Sequence, residues 1–178
     1  MKRALLIALA ALAMPVLAQA QVEVGLDGGL GIQKMSGVTD KDISFDVPTS
    51  GLRLGFAGGE SLIIETMLDF SWNKFGDQKT TSFGIVPGVN YLINDQVYVR
   101  GEAGLSYFKY DPGTGGSSQT QYLFGGAVGT RKMLGEGALL RLEAGVDRGL
   151  EKKDNGVVTI PASWNFRVVA GISAVVGG

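Results

Sequence analysis

The sequence has no cysteine and no histidine among its 178 residues, and only five prolines. Without cysteine there is no disulfide framework and no thiolate metal site. Without histidine, a Ser-His or Asp-His catalytic pair cannot form, and the commonest neutral metal ligand is missing. Beyond the N-terminus no apolar run reaches the ~18 residues that a membrane helix needs. Charge of one sign is also scarce: 16 basic residues face 17 acidic ones, a net charge of −1. That balance excludes nucleic acid as the expected partner, because phosphate binding needs a basic surface. The mean hydropathy, +0.18, is only slightly apolar. Glycine, by contrast, is abundant at 28 residues, and the length suits one domain.

The N-terminus reads as an export signal. Lys2 and Arg3 form a positive start, Ala4 to Leu17 form an apolar stretch too short to span a bilayer, and Ala18-Gln19-Ala20 offers the small residues that signal peptidase reads. Cleavage is expected between Ala20 and Gln21, which divides the chain into a signal peptide, 1–20, and a domain, 21–178. Losing Lys2 and Arg3 leaves 14 basic against 17 acidic residues, a mature net charge of −3.

From there on the hydrophobic period is two rather than 3.6. Val22, Val24, Leu26, Leu30 and Ile32 alternate with Glu23, Gly25, Asp27, Gly29 and Gly31. Leu62, Ile64, Thr66, Leu68, Phe70 and Trp72 alternate with Ile63, Glu65, Met67, Asp69, Ser71 and Asn73. Six further segments, within 51–57, 81–91, 97–107, 122–129, 140–147 and 164–176, show the same pattern. Eight segments of about ten residues match the length of a tilted membrane strand. Connections are expected to alternate between long (Ser36–Asp46, Lys74–Thr80, Asp111–Thr120, Glu151–Pro161) and short (Gly58-Gly59-Glu60, Asn94-Asp95, Arg131–Gly137). Pro87 falls inside a strand and calls for a bulge or a strand end there.

Such alternation fits either a soluble ligand-binding barrel, apolar inside, or a membrane barrel, which inverts the faces. The polar face decides. Its charges are Glu23, Asp27, Arg53, Glu65, Asp69, Arg100, Glu102, Arg141, Glu143, Asp147 and Arg167, with no lysine. The lysines Lys41, Lys79, Lys152 and Lys153 belong to loops or strand ends. A solvated face uses lysine freely, whereas a packed interior favours arginine, whose planar fork satisfies several carboxylates. The apolar face carries Lys34, Lys74, Lys109 and Arg148 only near its loop ends, where they reach polar surroundings. Phe70, Trp72, Phe83, Tyr107, Tyr122, Phe124, Trp164 and Phe166 gather toward the same end, as an interfacial aromatic girdle does. The expected fold is therefore all-β: a transmembrane antiparallel up-and-down barrel of about eight strands, apolar outside, with a lumen charge network.

Segments such as YVRGEAGLSY (98–107) and LLRLEAGVD (139–147) resemble the small eight-stranded bacterial outer-membrane proteins of the OmpX/Ail and OmpA-barrel type. The resemblance covers nearly all of 21–178. It implies residence in the outer membrane, contact with outer-membrane lipid and lipopolysaccharide, delivery by the barrel-insertion machinery, and a monomer. Members usually end in an aromatic residue; this chain ends Val175-Val176-Gly177-Gly178.

Chemistry is sparse. The carboxylate pairs Glu65/Asp69 and Glu102/Glu143 are read as neutralising Arg53, Arg100, Arg141 and Arg167, since buried charge must be paired. By position, Glu65, Arg100 and Arg141 fall at similar heights, with Glu102, Glu143 and Arg53 just above. Asp40, Asp42 and Asp46 lack the glycine and terminal glutamate of a calcium loop. No enzyme, cofactor or metal is expected. The expected role is structural: a plugged barrel displaying four loops for adhesion to an unidentified surface partner or for envelope integrity. A narrow conduit for small or apolar solutes is the alternative.

Overall fold

The protein is described from a computed structural model, over residues 21–35, 43–46, 51–113, 115–154 and 157–177. The signal segment 1–20, Asp40 and Asp42 lie outside the described residues, as does the side chain of Asp46. Among the described residues there are eleven strands: β1 (Val22–Met35), β2 (Ile43–Asp46), β3 (Gly51–Ala57), β4 (Leu62–Phe75), β5 (Gln78–Leu92), β6 (Val97–Asp111), β7 (Ser117–Met133), β8 (Ala138–Gly149), β9 (Lys152–Asp154), β10 (Val157–Ile160) and β11 (Ser163–Val176).

All neighbours pair antiparallel, and β11 closes onto β1 from Val22↔Val176 to Met35↔Ser163. β3 pairs with the first half of β1, Val22 to Asp27, and β2 with Gly31 to Lys34. Together they make one stave, so the closed barrel has eight. β9 and β10 form a separate hairpin between β8 and β11.

The register fixes the barrel's shape. Starting at Glu23, directly opposed residues run Gly55, Glu65, Gly88, Glu102, Gly125, Asp147, Asn165 and back to β1 at Gln33. The circuit returns ten residues higher. For eight strands with that offset, a rise of ~3.3 Å per residue and a spacing of ~4.8 Å give a tilt of about 40° and a backbone radius of about 8 Å. A tube that narrow is filled by side chains.

Strands and connections differ from the sequence expectation at the outward end. Lys74–Thr80 is not a loop: Lys74 pairs with Lys79 and Phe75 with Gln78, leaving a two-residue turn in which Gly76 has φ +60°. Likewise β6 and β7 stay paired up to Tyr110↔Ser117, and the expected loop Glu151–Pro161 contains the β9–β10 hairpin. Alternation marks only the lipid-facing part of a strand. Above it both faces meet water, so the pattern stops while the backbone ladder continues. At the other end β7 reaches Met133, which shortens the expected turn to Leu134–Gly137.

Pro87 needs neither a bulge nor a strand end. The β5–β6 register is the same on both sides, Ile85↔Leu105 and Gly88↔Glu102; the ladder simply skips Val86 and Pro87. On the β4 side Pro87 still opposes Thr66. Nearby, the Asn94 Oδ1 accepts the backbone N–H groups of Gln96 and Val97 at 2.9 and 2.8 Å, which builds the short β5–β6 turn.

Burial is inverted relative to a soluble protein. Arg53, Glu65 and Asn90 are fully buried, whereas Leu30 is 67% and Phe70 65% exposed. Exposed apolar side chains on every stave, from Val24 and Leu26 round to Val168 and Ile172, make up one apolar belt. So large a patch is stable only against another apolar phase, here lipid.

Candidate functional site: a charged plug across the lumen

The site is built by strand parity. Glu23 and Asp27 on β1, Arg53 on β3, Glu65 and Asp69 on β4, Arg100 and Glu102 on β6, Arg141, Glu143 and Asp147 on β8, and Arg167 on β11 all occupy inward positions. All but Asp69 and Arg167 are at least nine-tenths buried.

Ten of these eleven residues form one connected ion-pair network. Glu65 is its centre, contacting Arg53, Arg100 and Arg141, the last at 3.0 Å. Arg53 also binds Asp27 at 2.5 Å, and Arg141 binds Glu23 at 2.5 Å. Glu102 bridges Arg100 and Arg167. Arg167 further contacts Asp147, and Glu143 at 3.1 Å; Arg53 lies 3.7 Å from Glu143. β4 and β8 stand on opposite sides of the eight-stave barrel, so the Arg141–Glu65 bridge spans the full diameter. Below that level lies a cavity of 210 Å³ beside Glu23 and Arg131; above it lies one of 390 Å³ beside Asp27 and Asp69. They share no lining residue.

Asp69 does not join the network. It makes no ion pair or hydrogen bond among the described residues, and its carboxylate lies over Gly84, where a Cβ would stand 2.0 Å away. Conversely, Tyr98 and Arg131 belong to the lumen although the charge pattern of the sequence does not single them out. Tyr98, fully buried, donates its hydroxyl to Glu143 at 2.9 Å, and the Arg141 guanidinium lies 5.2 Å from its ring centre. Arg131 is not in a turn, as the sequence suggests, but continues the inward parity of Gly125, Ala127 and Gly129 to the end of β7. That parity is the signal that locates it.

Glycine makes room for these long side chains. A Cβ on Gly129 would stand 2.3 Å from the Tyr98 ring, and one on Gly125 would stand 2.0 Å from the Asp147 carboxylate. Bulky inward residues therefore recline over glycine on the neighbouring stave.

The eight aromatic residues of the expected girdle all point outward. Register sets Phe70, Phe83 and Tyr107 side by side on β4, β5 and β6, with Trp72 one step above Phe70 on the same face. Round the barrel Phe124, Arg148 and Trp164 form a second row, with the Arg148 guanidinium 4.9 Å from the Trp164 ring centre. Tyr122 and Phe166 flank it on the same outward face.

A closed antiparallel barrel with an apolar outside and a charged interior narrows the candidates to one class, and the sequence agrees. The family model for the outer membrane protein beta-barrel domain matches residues 4–177. The chain belongs to the outer-membrane β-barrel family. This outer-membrane barrel is also similar in fold to solved structures. Ail, the attachment invasion locus protein of Yersinia pestis, superposes with a TM-score of 0.53 at 11% identity, over 89% of this chain and 99% of that one. Neisserial surface protein A gives 0.54 at 16% identity, over 86% and 96%. A major outer membrane protein from Thermus thermophilus gives 0.52 at 15% identity, over 88% and 99%. No protein with a curated description matches the sequence. The barrel therefore resides in the bacterial outer membrane, with its belt in lipid.

Proposed function

We propose that this barrel is a closed, non-conducting display platform, serving surface interaction or envelope integrity, with no catalytic role. The observation that carries the reading is the Arg141–Glu65 bridge across the lumen's diameter. Ions would have to separate buried, paired charges to pass, and buried charge left unpaired is costly. The likeness to Ail and to Neisserial surface protein A, at 11% and 16% identity, supports the fold alone, so the role rests on the barrel's own geometry.

What is displayed is partly rigid. The β4–β5 ribbon stays paired to its tip, where Phe75 is 88% exposed. In this reading residues 1–20 direct export and are removed after Ala20, and the insertion machinery delivers a monomer. Outer-leaflet lipopolysaccharide meets the girdle of Phe70, Trp72, Phe83, Tyr107, Tyr122, Phe124, Trp164 and Phe166.

The two cavities on either side of the plug favour one alternative, a narrow conduit that opens when the plug yields. Planar-bilayer recording separates the readings. The display reading expects no stable, reproducible step from the wild-type protein. Steady wild-type conductance would establish the conduit.

A further inference from the structure

We propose that the outward half of the lumen is a binding cup for a small organic ammonium compound, its cation held by Asp69 and Asp27 and its apolar body by Met67, Val86 and Val169. The cavity measures 390 Å³, within the ~300–1,000 Å³ range of small-molecule sites. The plug is its floor, since Asp27 and Arg167 line it from below. Its walls stand open outward: Met67, Asp69 and Val86 are half-buried, whereas Glu65, Arg100 and Glu143 beneath are buried.

The cup's lining carries two carboxylates with oxygens that have no hydrogen-bond partner among the described residues. Asp69 has no ion pair or hydrogen bond among the described residues. Asp27 is 5% exposed, and only one of its oxygens is engaged, by Arg53; its Oδ1 has no hydrogen-bond partner and the residue lines the same cavity. Arg167, the cation on the lining, has both terminal nitrogens engaged by Glu102, Glu143 and Asp147, and only its Nε has no hydrogen-bond partner. A ligand that brings a positive N–H donor supplies what both carboxylates lack. Three apolar side chains beside two carboxylates suit an alkyl or cycloalkyl ammonium. A hard metal ion needs six or more oxygens, and no group of three or more acidic residues is placed to hold one among the described residues. This inference does not depend on the display role and is tested separately from conductance.

The test uses purified protein in nanodiscs of zwitterionic lipid, titrated calorimetrically with cyclohexylammonium and with cyclohexanol. Saturable one-to-one binding of the amine is expected, with the alcohol roughly tenfold weaker or more, the usual worth of a charge-assisted contact. Asp69→Asn should weaken amine binding by the same factor, and Asp69→Glu should retain it. Val86→Phe, which fills the cup without touching the carboxylates, should abolish binding and serves as the second variant if Asp69→Asn does not fold. Absence of saturable wild-type binding, equal affinity for the alcohol, or full binding by Asp69→Asn or Val86→Phe would each overturn the proposal.

Discussion

Glu65→Ala is the sharpest test of the plug. Glu65 is fully buried and ion-paired with three guanidinium groups, those of Arg53, Arg100 and Arg141. Charge-assisted hydrogen bonds contribute ~1.5–3 kcal/mol each, so three would set an upper bound near ~9 kcal/mol. The loss is smaller, because each arginine keeps a second carboxylate: Asp27 for Arg53, Glu102 for Arg100 and Glu23 for Arg141. The desolvation of Glu65 is also relieved. What remains is the cost of a disrupted buried ion network, about 3–5 kcal/mol. With a urea slope of ~2 kcal/mol/M, the unfolding midpoint should fall by roughly 2 M. The assay is equilibrium unfolding in detergent or lipid, followed by the fluorescence of Trp72 and Trp164. Arg100→Ala and Glu102→Ala should behave similarly. Lys79→Ala, on an exposed strand end, should shift the stability by less than ~0.5 kcal/mol. If Glu65→Ala and Lys79→Ala move the midpoint equally, the polar face is solvated and the inside-outside assignment fails.

Three further outcomes are expected. Gly129→Ala should destabilise the barrel by about 1–3 kcal/mol, because its Cβ would stand 2.3 Å from the Tyr98 ring; Gly101→Ala, which meets nothing within 4 Å, should be nearly neutral in the same urea titration. Val168→Arg, at the middle of the lipid-facing side of β11, should cost about 2–4 kcal/mol and reduce the folded fraction on reconstitution; a wild-type yield would place Val168 outside the bilayer. Cysteines at Leu26 and Ile172, which are direct partners across the β1–β11 seam, should cross-link on oxidation, since antiparallel partners lie ~4.5–5.5 Å apart, within disulfide reach. The natural chain has no cysteine, so a non-reducing gel reads the seam directly, and failure to link would mean it is open or in another register.

Part of this architecture is local and therefore legible from the chain. A period of two assigns each residue to one face, so the inward positions of Glu23, Arg53, Glu65, Arg141 and Arg167 follow from alternation alone. The choice of arginine over lysine tells which face is packed, and the outward Leu, Val and Phe tell which meets lipid. Strand ends are less legible. Past the lipid, Lys74 to Lys79 carry no apolar alternation, yet backbone hydrogen bonding continues without it.

Which inward residues actually meet was decided only by the closed barrel. Glu65 and Arg141 are 76 residues apart in the chain and meet because eight staves with a ten-residue offset put β4 opposite β8 in a tube about 8 Å in radius. The same closure left Asp69 over Gly84, outside the network, though its parity equals that of Glu65, and brought Tyr98 in. Alternation is a property of one strand's backbone, whereas offset and convergence on the axis are properties of the closed circuit, so sequence determined the faces and tertiary structure the partners.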